Sequence, residues 1–200
     1  AAVKENGHRV ILLDVFMGYG EQEVDLSGIF DRADEISVKV SDIPEVAPDL
    51  AAVKASRKDQ SPCFFGPNVI RMCQKADIVF MALHGENGEN GKVQAAFDLL
   101  GNRYTGTDYI SSAIAMDKSR TKQVFQASGV NTPAGITIYR GDSRRRASEF
   151  GMELPVIVKP CCGGSSVGIT ICRTEEDVRK GIDLAFRLEN SAVIEEFIEG

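Results

Sequence analysis

Apolar positions along the chain alternate between two spacings, and the alternation predicts an α/β protein. Val10–Asp14 (VILLD) and Ile78–Leu83 (IVFMAL) are short, continuous apolar runs, as in strands buried on both faces of a parallel sheet. Ala1–Asn6, closed by Gly7, reads as the last turns of a helix. The chain is therefore expected to enter in the middle of an α/β unit, without that unit's first strand. Residues 17–67 carry acidic, Gly- and Pro-containing stretches and a short helix near Glu45–Ser56, and they read as an elaborated surface connection. Ile78–Leu83 runs into the turn His84–Gly91 and then into a helix, Lys92–Leu100, closed by Gly101. A short strand around Tyr104 and a polar turn at Gly106–Asp108 place a domain boundary between residues 107 and 108.

Beyond that boundary, Ser111–Ser128 is expected as one helix stopped by Gly129, followed by a strand at Gly135–Tyr139. Pro155–Lys159 (PVIVK) and Ile169–Cys172 flank the glycine-rich turn Cys161–Gly168, which predicts a β-hairpin. Thr174–Asp177 has the form of a helix N-terminal capping pattern, with acids at the positive end of a helix reaching about Leu188. Ala192–Ile198 (AVIEEFI) is the last strand, expected at an unprotected sheet edge that would favour self-association.

Composition narrows the function classes. The formal charge of −6 lacks the basic footprint that nucleic acid needs, yet leaves room for local lysines to hold a nucleotide. No apolar run approaches a membrane-spanning length. Five cysteines without CxxC spacing, and only two histidines, support neither a disulfide framework nor a zinc site, and point to reduced thiols in the cytoplasm.

Four segments carry candidate chemistry. In Lys159–Gly168 (KPCCGGSSVG) a lysine closes a buried strand. In the turn that follows, Gly163 and Gly164 would let backbone N–H groups approach an anion, and the hydroxyls of Ser165 and Ser166 would add donors. Glycine content alone fits a solvated hairpin tip equally well; Lys-Pro at the strand end together with GGSSVG favours anion binding. The order is not that of a P-loop. Lys118, opening a helix after Met116-Asp117, can reach a phosphate or be an ordinary exposed helix lysine. His84 leaves the carboxyl end of a strand, where α/β sheets place ligands. It can meet a substrate, with Glu89 orienting it, or serve a tight turn. Glu195 and Glu196 are adjacent acids in an apolar strand: a nucleotide base can pair there, or one acid is simply exposed.

LHGxxGExG, then YTG with an AMDK helix, then VIVKP, GGSSVG and an EEFIEG strand occur in one order, and together they resemble the D-alanine–D-alanine ligase family of ATP-grasp carboxylate–amine ligases. The resemblance is close over residues 78–200 and looser before residue 69. It implies an N-terminal substrate-side α/β domain (1–107, incomplete) and the first half of an ATP-grasp α+β domain (108–200), with the C-terminal lobe absent. It implies ATP and Mg²⁺ as cofactors, D-alanine as substrate, and an acyl-phosphate route to the dipeptide used in peptidoglycan. Lys118 and Lys159 would hold ATP phosphates with Gly163, Gly164, Ser165 and Ser166. Ser165 and His84 would act at the substrate. Glu195, Glu196 and Ile198 would hold the adenine, partly by backbone. The Mg²⁺ carboxylates are expected beyond Gly200, and the glutamate for the first D-alanine's amino group before Ala1, so this stretch alone is expected to be inactive. The turn Gly18–Ser27 follows the second strand rather than the first and does not supply that glutamate. Asn90 and Glu196 depart from the usual residues without breaking the pattern. A D-Ala–D-Lac or D-Ala–D-Ser ligase, and a non-catalytic nucleotide-binding fragment, are the alternatives. No nucleic acid and no membrane partner is expected; a homodimer is compatible with the complete protein.

Overall fold

The computed structural model describes residues 2–20, 24–34, 36, 46, 48–164 and 166–199. They form two compact units, Ala1–Val79 and Phe80–Gly200. In the first unit, α1 (Ala2–Glu5) ends where Gly7 turns at φ 82°. A 3-10 turn follows at Ile29–Arg32, then α2 (Leu50–Ser56) and α3 (Val69–Cys73). Helix α2 starts at Leu50, later than the expected Glu45 (itself outside the described residues), because the Asp49 carboxylate accepts from the N–H groups of Ala51 and Ala52. Leu26, Ile29 and Met72 form a small core, and Ile11 and Leu13 pack against it while Leu12 stays exposed.

The strand expected at Val10–Asp14 has no strand pairing among the described residues; in Ile78–Leu83 Val79 alone makes a β-bridge, as does Tyr104, and neither belongs to the four-stranded sheet. The first run half-buries Val10, Ile11 and Leu13, and the second alternates. Val79, Met81 and Leu83 are half-buried, whereas Ile78 and Phe80 are exposed. A run buried on both faces requires paired strands beside it and helices above and below, and beyond the single bridge at Val79 no strand pairing extends along these runs among the described residues.

The second unit holds the sheet. Its helices are α4 (Lys92–Leu99), α5 (Tyr109–Met116) and α6 (Lys118–Ala127). Strands β1 (Gly135–Tyr139), β2 (Val156–Pro160) and β3 (Thr170–Cys172) follow, then α7 (Glu175–Leu188) and β4 (Ser191–Glu196). The sheet is antiparallel in the order β1-β4-β2-β3. The expected hairpin is present, with Val156 opposite Cys172 and Val158 opposite Thr170. Strand β4 is not the unprotected edge that was expected. It lies at the centre, paired with β1 from Ser191 to Glu195 and with β2 from Ala192 to Glu196. Strand order depends on pairing between distant segments, which local pattern does not encode.

Side-chain alternation gives the sheet two faces. One buries Ile138, Val156, Val158, Cys172, Ala192 and Ile194 against Val178, Ile182, Ala185 and Phe186 of α7. Those α7 positions recur at three- and four-residue spacing, and the Thr174–Asp177 capping box fixes the start of the helix. The other face carries Gly135, Thr137, Ile157, Lys159, Val193 and Glu195. Helix α6 reaches this face through a 2.7 Å hydrogen bond from Thr137 Oγ1 to Ser119 Oγ.

The single helix expected over Ser111–Ser128 is broken at Asp117. Its backbone is extended (φ −94°, ψ 102°), ending α5, and its carboxylate caps α6 by accepting from the N–H groups of Ser119 (2.9 Å) and Arg120 (3.1 Å). Asp is a poor helix-interior residue and a strong N-cap, so the break is local chemistry. Asp117→Ala is expected to lower stability by about 1 kcal/mol in equilibrium denaturation; an unchanged midpoint would show that α6 does not depend on this cap.

Candidate functional site

The site is built on the sheet face opposite α7 and on the two turns beside it. Strand β2 delivers Lys159 and Pro160 to the glycine-rich turn, which is held from two sides. The Lys118 N–H donates to the Cys161 carbonyl at 2.9 Å, and the Lys118 ammonium donates to the carbonyls of Gly163 (2.9 Å) and Cys161 (3.4 Å). From the end of α7, the Glu189 carboxylate accepts the Cys162 N–H at 2.8 Å. Lys118 therefore acts on the turn directly, an arrangement made possible by the helix break that aims it there. Ser165 lies outside the described residues. Ser166 accepts the Ile169 N–H at the far end of the turn.

Lys159 points back over the sheet. Its ammonium pairs with Oε1 of Glu195, whose Oε2 accepts from Lys122 of α6 at 2.7 Å. The Glu195 side chain is 7% exposed, Lys122 12% and Lys159 20%. A carboxylate this buried is tolerable only when paired, and here both oxygens are taken. The site has room for it because β1 contributes Gly135, where a Cβ would sit 2.6 Å from Glu195 Cβ and 2.5 Å from the Ile194 carbonyl. Lys122 was not singled out in the sequence reading. The available signal was helical spacing, four residues after Lys118 on one face.

Glu196 turns the other way and accepts the Ala134 N–H at 2.8 Å, while its own N–H donates to the Ala134 carbonyl. Phe197 donates its N–H to the Pro155 carbonyl. Ile198 is exposed, and its N–H has no partner among the described residues.

The turn His84–Gly91 is closed by a reciprocal pair. The Gly85 N–H donates to the Glu89 carboxylate, and the Glu89 N–H donates to the Gly85 carbonyl at 2.9 Å. Glu89 is thus spent on backbone rather than on orienting His84, which is exposed and forms no hydrogen bond among the described residues. Gly91, at φ 87°, starts α4 where a Cβ would lie 2.3 Å from the Tyr109 carbonyl. Gln94 of α4 donates to the Gly88 carbonyl at 2.7 Å, which leaves its buried Oε1 without a partner. Sequence reasoning passed over Gln94, because a glutamine on an amphipathic helix carries no distinguishing pattern.

The two turns meet at one cavity of about 480 Å³, lined by Leu83, Gly88, Glu89 and Gln94 from the first and by Gly164 from the second. Thr107, Ser112 and Met116 complete its wall. Neither Lys118 nor Lys159 lines it. The lysines belong to the sheet face and the base of the glycine-rich turn, and the cavity lies beside the turn.

Burial pushes the Cys161 thiol up, and burial together with the Glu189 carboxylate pushes Cys162 up to about 11. Among the described residues, no group of His, Cys, Asp or Glu is placed to hold a metal ion, and no helix is long and apolar enough to cross a membrane.

Comparison with known proteins agrees across the chain. Residues 19–107 match the D-ala D-ala ligase N-terminus family model, and residues 124–200 match the D-ala D-ala ligase C-terminus model. A D-alanine–D-alanine ligase of Lacticaseibacillus casei is 38% identical over 200 residues, covering 100% of this chain and 55% of the relative. The chain thus spans about half the length of the curated relatives it matches. The D-alanine–D-alanine ligase of Bacillus anthracis complexed with ATP matches with a TM-score of 0.60 at 29% identity, covering 66% of this chain and 44% of that one. The VanG D-Ala:D-Ser ligase of Enterococcus faecalis matches at 0.57 and 36%, covering 62% and 37%.

Because burial and the Glu189 carboxylate push the Cys162 thiol up to about 11, its alkylation by iodoacetamide is expected to stay slow at neutral pH and to accelerate with an apparent pKa near that value. Glu189→Gln should lower that value by removing the neighbouring negative charge. Rapid alkylation of Cys162 at neutral pH would contradict the description of the turn.

Proposed function

The chain belongs to the D-alanine–D-alanine ligase family, and from that premise we propose that it supplies the phosphate-holding sheet of an ATP-dependent ligase that joins two D-alanines for peptidoglycan precursor synthesis in the cytoplasm. The observation that supports this reading is a glycine-rich turn with one lysine seated on its carbonyls and a second closing the strand that leads into it, its ammonium held by Glu195. Lys159 ends the strand that enters the turn, and Lys118 is seated on the turn's carbonyls. The functional division falls at residues 107/108, with the substrate-side turn before it and the nucleotide side after it.

In the proposed reaction a D-alanine carboxylate oxygen attacks the γ-phosphorus of ATP, the bond to the bridging oxygen breaks, and ADP leaves. The amine of a second D-alanine then attacks the acyl-phosphate carbonyl, loses a proton and expels inorganic phosphate. Lys159 and Lys118 offset the charge of the transferring phosphoryl group. The N–H groups of Gly163 and Gly164 and the hydroxyls of Ser165 and Ser166 supply further donors, and closure of the turn excludes water that would hydrolyse the acyl-phosphate. His84, exposed on its turn, is free to meet the first D-alanine. The adenine contacts fall to the strand end at Glu196–Ile198, where the Ile198 N–H is unpaired among the described residues; Glu195 contributes there through backbone, its carboxylate being taken by lysines. Mg²⁺ accompanies ATP in the family reading. Among the described residues no group of His, Cys, Asp or Glu is placed to hold it.

The similarity to the VanG D-Ala:D-Ser ligase, at 36% identity, favours keeping a second reading in which the acceptor is D-serine or D-lactate. D-alanine-dependent ADP release by the full-length protein, measured with D-alanine, D-serine and D-lactate as acceptors, separates the two. Lys159→Ala is expected to lower kcat/KM for ATP by about 10²-fold or more, and His84→Gln to raise KM for D-alanine with a smaller effect on ATP. Absence of ATP binding by calorimetry, or full activity in Lys159→Ala, would contradict the assignment and favour a non-catalytic role.

A further inference from the structure

The two lysines on Glu195 are not equivalent. The Lys122 ammonium has three donors and three acceptors: Glu195 Oε2, Thr132 Oγ1 at 3.1 Å and the Pro133 carbonyl. It is nearly buried and has no donor left for a ligand. The Lys159 ammonium has one acceptor among the described residues, Glu195 Oε1, and is the more exposed of the pair. One carboxylate thus holds one cation that is saturated and one that keeps free donors toward the open face.

We propose that Lys122 is a positioning residue: it keeps Glu195 charge-compensated, so that Lys159 can turn its ammonium from the carboxylate to an ATP phosphate without leaving a buried anion unpaired. The inference rests on the assignment of Lys159 to phosphate binding. A lone Glu195–Lys159 pair would be neutral, and drawing Lys159 away would strand a carboxylate in the sheet, a costly event. With Lys122 fixed, the three side chains carry a net charge of +1. That excess is available to the phosphate, and Glu195 retains a partner throughout. Lys122 touches no ligand in this scheme; it acts through Glu195 on Lys159.

The test is a double-variant cycle on the full-length protein, reading ATP affinity by calorimetry, KM for ATP and thermal unfolding. Lys122→Met should weaken ATP binding by about tenfold or more, because Glu195 then competes with phosphate for Lys159. Lys122→Arg, which keeps the cation, should bind ATP within about threefold of the parent. The decisive variant is Lys122→Met with Glu195→Gln: removing the charge that Lys122 compensates should restore ATP affinity to within about threefold. A residue serving only the fold would show no such recovery. Should Lys122→Met fail to fold, the double variant and Lys122→Arg still decide the matter. ATP affinity unchanged in Lys122→Met, or unrecovered in the folded double variant, overturns the proposal. If Lys159→Ala also leaves ATP affinity unchanged, the phosphate assignment itself is wrong, a result distinct from failure of the Lys122 role alone.

Discussion

A carboxylate buried in the middle of a β-sheet, with an ammonium group on each oxygen, is the constraint around which the nucleotide side of this protein is arranged. Glu195 lies on the central strand, Lys159 on its neighbour β2, and Lys122 on a helix. The charge cluster therefore ties α6 to two strands at once. Taking such a group out of water is unfavourable by itself, and removing one partner of a buried pair typically costs about 3–5 kcal/mol. Gly135 of β1 is part of the same constraint, since a side chain there would collide with Glu195.

Helix α6 is fastened a second time at its other end. The Asp117 cap stops α5 and restarts the chain as α6, which directs the backbone N–H and the ammonium of Lys118 onto the carbonyls of the glycine-rich turn. One helix thus fixes both the base of the turn and the charge state of the strand beneath it. The base of the turn is held by Lys118 and Glu189, and a Cβ on Gly164 would meet nothing within 4 Å.

How much of this was legible in the sequence depends on whether the determining contact is local. The hairpin of β2 and β3 was readable because VIVKP and ITIC alternate about a glycine-rich turn, and α7 because its cap and apolar stripe lie within the segment itself. The break at Asp117 is local too, and the sequence reading passed it over by weighing the apolar period above the capping preference of aspartate. The central position of β4 and the counter-ion role of Glu195 were not readable, because both arise from segments more than thirty residues apart. Of the two adjacent acids in an apolar strand, the first is neutralised by lysines and the second pairs with the Ala134 backbone, a division set by register. The apolar runs read as doubly buried strands are only partly buried, because burial of a strand belongs to its neighbours as much as to its own residues.

The most direct test of the account is a structure of the full-length protein with a non-hydrolysable ATP analogue. The account predicts phosphate oxygens within hydrogen-bond distance of both the Lys159 and Lys118 ammonium groups, with Lys122 still seated on Glu195. A triphosphate bound away from the glycine-rich turn, with Lys159 and Glu195 still paired and no phosphate on either lysine, would contradict it.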